Sequence, residues 1–312
     1  MTPLTLITEQ RDDAIGRWEI ELTNNLKKID PKLKHINVNN QSKIKFFSYI
    51  LQVINFIKIY LLINKQEILL FTDPKSIKAN IAFLIKNKKY IMVHHLDTEP
   101  SYYRFFTGIT LVSLLKKFDG LIATSKRTIN DLEAEKIDPS KISLVYSGVN
   151  HKVFNQIELE RRPRIKYILF VGTEIPRKNF SNALKAFKLL KKDFPDLFLV
   201  KTGNSGGKDY RIISNGLINK LGLKKDIIFT GFIDDKQLRQ YYLEAEMLLF
   251  PSLLEGFGLP IIEAMACGCP VVTSNIDPMR EITKDCALHV NPHSHEDIAI
   301  KCKELMQNSE LK

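Results

Sequence analysis

Residues 251–272 read PSLLEGFGLPIIEAMACGCPVV, and this stretch decides the fold class. A strand over Met247–Pro251 runs into a loop holding Gly256 and Gly258. Pro260 then stands where a helix begins, because a first helical turn has no use for the N–H that proline lacks. A further strand, Pro270–Ser274, follows. Strand, helix and strand in such short succession build parallel sheets. The loop aims unpaired backbone N–H groups, at the positive end of a helix, into the crevice above the strand ends, a geometry that binds anions or sugar hydroxyls. Glu255 in the loop and Glu263 about one turn into the helix can face one ligand from different heights. Carboxylates are poor phosphate partners but good acceptors for hydroxyls.

Outward from this stretch, short apolar runs alternate with helical ones along the whole chain. Strands are expected at Leu4–Thr8, Ile68–Thr72, Tyr90–His94, Gly120–Thr124 and Ile142–Tyr146. A second series is expected at Tyr167–Val171, Leu197–Lys201, Ile227–Thr230, Met247–Pro251 and Pro270–Ser274. Between the two series lies the polar passage NHKVFNQIELERRPRIK, where the domain junction is placed. The expectation is an α/β chain of two Rossmann-like doubly wound domains, residues 1–155 and 156–312.

At 312 residues, 44% hydrophobic and 26% charged, the composition is that of a globular chain with room for two domains. Lysines and arginines number 46 against 35 acidic residues, a net +11 that points to anionic partners. Residues 27–89 hold 13 lysines against Asp30, Glu67 and Asp73, nearly the whole excess. The excess reads as attraction to an anionic membrane or a lipid-phosphate acceptor. Within it, Lys43–Asn64 admits two readings: a buried helix packed on the first sheet, or an interfacial helix resting Phe46, Phe47, Phe56 and Tyr60 in lipid headgroups. No secretion signal opens the chain, and no apolar run reaches the length of a membrane span, so a cytoplasmic chain, peripheral on the inner face of the membrane, is expected.

The second informative stretch is YILFVGTEIPRKNF, residues 167–180. Arg177 and Lys178 fall at the start of a helix whose apolar face is Ala183, Phe187 and Leu190. Two cations at the positive helix end are unfavourable unless a bound polyphosphate reverses the sign. His94 and His95 close the strand YIMV, a position where structural and catalytic roles are both open.

At these residues the chain resembles the retaining glycosyltransferases of family 4. EGFGLPIIEAMACGCPVV is similar to their E-x7-E signature, and IGRWEIEL, YIMVHHLD, DGLIATSKRTINDL, KISLVYSGVN, VGTEIPRKN, IIFTGFIDDKQL and LLFPSLLEGFGLP follow in the family's order. The resemblance implies the GT-B fold, two facing Rossmann-like domains with a cleft between them. It implies an enzyme moving a hexose-type sugar from a nucleotide-diphosphate sugar to a glycan or lipid-linked acceptor, with retention and without a metal or other cofactor. Glu255 and the backbone of Gly256, Phe257, Gly258 and Leu259 would hold the donor sugar, and Glu263 the ribose hydroxyls. Arg177 and Lys178 would clamp the diphosphate. Gly16 would let the first loop approach that diphosphate, and His94 would lie near the reacting groups. His95, Gly172, Phe232 and Ile233 complete the expected substrate-binding set. Family members often carry an arginine after the glycine that is Gly172; this chain has Thr173.

Other chemistries fail on spacing. TGNSGGK at 202–208 lacks the gap and the hydroxyl residue of a P-loop. Cys267 and Cys269 have no neighbouring ligand set, and His289, His293 and His295 are read as solvated loop residues. No nucleic-acid recognition motif interleaves the lysines, so nucleic acid is not an expected partner. The chain ends at KELMQNSELK, short of the crossing helix that GT-B chains usually have. A non-catalytic, nucleotide-sugar-binding subunit of a larger transferase is therefore the alternative.

Overall fold

The computed structural model describes residues 3–9, 14–38, 62–63, 66–72, 86–94, 96, 111–157 and 165–308. The chain divides into two compact units, Met1–Tyr146 and Ser147–Lys312. Residues 147–155, which the sequence reading gives to the first domain, pack with the second. Phe154 is buried there among Tyr167, Leu169 and Tyr242, with Val149 and Val153 against the same cluster.

Among its described residues the first unit carries a parallel sheet of six strands: β1 (Leu4–Glu9), β2 (Lys34–Val38), β3 (Ile68–Phe71), β4 (Lys89–Val93), β5 (Gly120–Ala123) and β6 (Ile142–Leu144). Their order is β2-β1-β3-β4-β5-β6. Ile7, Leu69, Phe71, Ile91, Val93, Leu121 and Ala123 form one face of the core with Leu114, Leu115 and Phe118. Phe71 meets Phe118 edge to face at 5.5 Å. The segment Lys43–Asn64 lies outside the described residues save Leu62 and Ile63, so neither of its two readings is addressed by this fold. Among the described residues no helix is long and apolar enough to cross a membrane.

The second unit repeats the architecture with β7 (Tyr167–Val171), β8 (Phe198–Thr202), β9 (Ile227–Gly231), β10 (Met247–Phe250), β11 (Val271–Ser274) and β12 (Leu288–Val290). The order is β12-β11-β10-β7-β8-β9, all pairs parallel. Central strands of such a sheet are covered on both faces and are apolar throughout. All five residues of β7 and all four of β10 are buried accordingly. Alternation sorts them between two cores. Ile168, Phe170, Met247 and Leu249 face the helices Phe180–Leu190 and His295–Gln307 through Ala183, Leu184, Phe187, Ile298 and Cys302. Leu169, Val171, Leu248 and Phe250 face Leu238, Tyr242, Ile261 and Ala264 of the helices Asp235–Glu244 and Leu259–Ala266. Each such fully buried side chain contributes about 1.5–3 kcal/mol over leaving it in water.

Among the described residues, ten of the twelve strands fall where the apolar runs place them. The two missed are outermost strands, β2 with the sequence KHINV and the three-residue β12, LHV. A strand with one neighbour and a solvated flank needs no continuous apolar run. His289 therefore lies in β12, not in a loop, and its Nε2 is 2.8 Å from the Thr283 hydroxyl. The thiols are core groups apart from the exposed Cys286. Burial pushes Cys267 up to about 11 and Cys269 and Cys302 up to about 12, which keeps them protonated and unreactive.

Candidate functional site

In the second sheet β8 leaves β7 on one side and β10 pairs with it on the other. The loops after β7 and β10 diverge from neighbouring strand ends, and the crevice between such loops is where open α/β sheets bind ligands.

The loop after β7 begins with Gly172 at φ 148, a conformation that side chains disfavour. A Cβ there would stand 3.5 Å from the Lys178 stem, which fills the space. Arg177 and Lys178 are not in the helix itself; they form a short 3-10 turn, Pro176–Lys178, one residue ahead of the helix Phe180–Leu190. Asn179 separates the two by adopting a left-handed φ of 60, which asparagine tolerates. Its amide donates to the carbonyls of Pro251 (2.9 Å) and Pro292 (2.7 Å), and the Leu253 N–H donates to the Arg177 carbonyl at 2.7 Å. The turn is thereby stitched to the loop after β10 and to the chain beyond β12.

That stitching brings both cations onto one carboxylate. The Lys178 ammonium donates to Glu255 Oε1 at 2.5 Å, while Arg177 Nη1 donates to Glu255 Oε2 and to the Leu254 carbonyl, each at 3.2 Å. Lys178 also lies over the Phe250 ring, 4.9 Å from its centroid. Glu255 and Lys178 are nearly enclosed, with side chains 8% and 13% exposed, and Arg177 reaches solvent at 32%. Burial alone would raise the Glu255 carboxyl; the Lys178 and Arg177 charges overcome it and hold the group below the ordinary carboxylate value. Lys178 is pulled down by burial and by Arg177, against the opposing effect of Glu255. Two cations over one anion leave a surplus positive charge at the strand ends, suited to an anionic ligand.

The loop after β10 places Glu255, Gly256, Phe257 and Gly258 in buried positions. Gly258 caps the helix Leu259–Ala266 at φ 106, with Pro260 in the first turn. Pro260 brings no N–H to that turn, and the Ile261 N–H donates back to the Gly258 carbonyl at 2.9 Å. One turn on, Glu263 is buried, and one of its oxygens accepts from the Tyr242 hydroxyl at 2.9 Å.

Residues 154–312 match the family described as glycosyl transferases group 1. This chain belongs to the group 1 glycosyl transferases. The group 1 chain is 31% identical over 231 residues to the O-antigen chain mannosyltransferase RfbU of Salmonella typhimurium, covering 72% of this chain and 62% of that protein. It is 30% identical over 224 residues to the N-acetylgalactosamine-N,N'-diacetylbacillosaminyl-diphospho-undecaprenol 4-alpha-N-acetylgalactosaminyltransferase of Campylobacter jejuni, covering 69% and 59%. The matches thus span about three fifths of these relatives' length. Among solved structures it resembles Anabaena HepE in complex with UDP and glucose, with a TM-score of 0.79 at 15% identity over 100% of this chain and 91% of that one. Two parallel α/β units and this likeness establish the GT-B fold.

Within this group 1 chain the structure gathers Gly172, Arg177, Lys178 and Glu255 at one place. Phe232, half exposed, and Ile233 follow β9 at the outer end of the same sheet edge. Three expected residues belong to the first unit. His94 closes β4, with Nε2 3.0 Å from the Thr72 carbonyl, while Thr124 and Thr128 donate to its own carbonyl. Gly16 lies in the first turn of the helix Ala14–Ile29 and not in a loop, and His95 lies outside the described residues. Tyr242, Asn179 and the buried Glu19, whose carboxylate accepts from Thr72, were not singled out by sequence. Asn179 had a signal in its type, since asparagine before a helix marks a cap. Tyr242 had none, because it reads as an apolar-face aromatic.

Proposed function

We propose that this chain is a retaining, metal-independent glycosyltransferase that moves a hexose-type sugar from a nucleoside-diphosphate sugar to a glycan or lipid-linked acceptor. The observation that carries the reading is the Arg177–Glu255–Lys178 cluster at the crevice of the second sheet. As the bond between the sugar C1 and the diphosphate oxygen breaks, negative charge grows on the leaving phosphate. Two fixed cations stabilise that charge without rearranging. The acceptor hydroxyl forms the new bond to C1 on the same face of the sugar and passes its proton to the departing phosphate. Glu255, held ionised between the cations, is a positioning group for the sugar hydroxyls, and Glu263, aimed by Tyr242, takes the ribose.

HepE is solved with UDP and glucose, and the Campylobacter relative is named for a diphospho-undecaprenol substrate. Both support a nucleotide-sugar donor and a lipid-linked acceptor here. Donor binding belongs to the second unit and acceptor binding to the first, whose lysine excess suits a phosphorylated lipid or an anionic membrane face. Incubating the purified protein with a panel of nucleotide sugars, with and without a chelator, tests the reading. Slow donor hydrolysis that is insensitive to chelation is expected. Tight binding with neither hydrolysis nor transfer to any acceptor would mean a donor-binding subunit instead.

A further inference from the structure

Beside the crevice lies a second charged cluster that the proposed chemistry does not use. Lys201 occupies the fourth position of β8 and is completely buried. An enclosed ammonium is tolerated when each of its three N–H bonds finds an acceptor. The Lys201 ammonium meets the Gly203 carbonyl at 2.6 Å, the Asn204 carbonyl at 2.9 Å and Glu174 Oε1 at 3.3 Å. Arg211 grips the same carboxylate in a fork, Nη2 at 2.6 Å and Nε at 2.9 Å, and its guanidinium lies 4.0 Å from the centre of the Phe229 ring.

Two cations from different elements, Lys201 and Arg211, are thus joined at one buried carboxylate. Burial would raise Glu174, but hydrogen bonds from Arg211 and Ser214 and the Lys201 charge hold it below the ordinary value. Burial brings Lys201 down to about 8, with Glu174 opposing, so the ammonium persists at neutral pH.

Glu174 stands three residues before Arg177, in the loop that carries both site cations. That loop is docked along its neighbour after β8. The Gly172 N–H donates to the Thr202 carbonyl at 3.1 Å and the Glu174 N–H to the Ser205 carbonyl at 3.0 Å. Gly206, at φ 84, has no room for a side chain, since a Cβ would stand 2.7 Å from Ile175 Cγ2. The two loops therefore move together or not at all, and the charged junction beneath them fixes both.

We propose that Lys201 is a positioning residue for the Arg177–Lys178 turn: its ammonium ties the loop after β8 to Glu174 and so sets where the two cations stand. The functional half of this assignment rests on the donor reading above. Lys201→Met removes the charge at similar volume and leaves Glu174 paired with Arg211, so the protein should fold. Amide hydrogen exchange should then quicken over residues 172–179 and 203–207 while β7 and β8 remain protected. Calorimetric binding of UDP and of GDP should weaken about tenfold for whichever the wild type binds, the scale of a small misplacement at a site. Lys201→Arg should restore most of that loss. If Lys201→Met does not fold, Arg211→Met, which leaves Glu174 with Lys201, should quicken exchange in the same two loops. Unchanged exchange there, or unchanged nucleotide affinity with measurable wild-type binding, would overturn the assignment. A wild type that binds neither nucleotide overturns the donor reading instead, and the exchange data still decide whether Lys201 holds the loops.

Discussion

The Lys178 ammonium and the Glu255 carboxylate, 77 residues apart in sequence, meet at 2.5 Å in a nearly enclosed position. Each is the counter-ion that makes burial of the other tolerable. Removing one partner of such a pair leaves the other charge uncompensated. Glu255→Gln should therefore cost about 3 kcal/mol of stability, read as a lower urea midpoint. A bound nucleoside diphosphate supplies the missing negative charge, so saturating ligand should raise the melting temperature of Glu255→Gln more than that of the wild type. An equal or smaller rise would mean that the diphosphate does not meet these cations.

Acid should weaken the fold through the same carboxylate. Glu255 sits below its ordinary value in the folded chain, whereas the unfolded chain titrates near the ordinary value of about 4.3. On acidification the unfolded chain takes up the proton first, so this contribution is complete above the ordinary value and is lost as pH falls through the depressed one. Urea unfolding of the wild type between pH 7 and pH 3 should lose more stability below that ordinary value than Glu255→Gln does. Parallel curves would show that Glu255 is not held ionised by its neighbours.

Arg177→Ala and Lys178→Ala should each lower turnover by about two orders of magnitude, the scale of losing one donor to a developing oxyanion. The measurement is steady-state transfer or donor hydrolysis by folded, purified variants. Of the two, Lys178→Ala should be the more destabilising, because its side chain is the more deeply buried member. Wild-type turnover in either variant would remove that residue from the leaving-group site.

Tyr242→Phe deletes only a hydroxyl, the one that donates to Glu263 at 2.9 Å. A hydrogen bond to a carboxylate contributes about 1.5–3 kcal/mol, so a loss in that range is expected in denaturant unfolding. If Glu263 takes the ribose, KM for the donor should rise with little change in kcat, because the contact lies away from the bond that breaks. A fall in kcat at constant KM would place Glu263 elsewhere in the mechanism.

Most of the architecture is legible in the sequence because apolar runs and helix starts are local. YILFV and MLLF are apolar without a break because both faces of a central parallel strand are covered. The expected helix after Gly258 begins at Leu259, since a left-handed glycine with a proline two residues on fixes a start from neighbouring residues alone. The local signal fails at the outermost strands, where KHINV needs only one neighbour and shows no continuous apolar run. It fails also at the junction, because Phe154 chooses its side through contacts with Tyr167, Leu169 and Tyr242, far away in sequence.

The same division runs through the site. By itself the sequence determined the residue types, two cations after one strand and a carboxylate with glycines after another, and the helix starts that follow them. Only the tertiary structure decided that Glu255 is gripped by Arg177 and Lys178, that Tyr242 aims Glu263, and that Lys201 is buried against Glu174. The reason is the strand order: β7 and β10 are neighbours in space but separated by two strands and three helices along the chain, and no local pattern encodes which side chains their loops bring together.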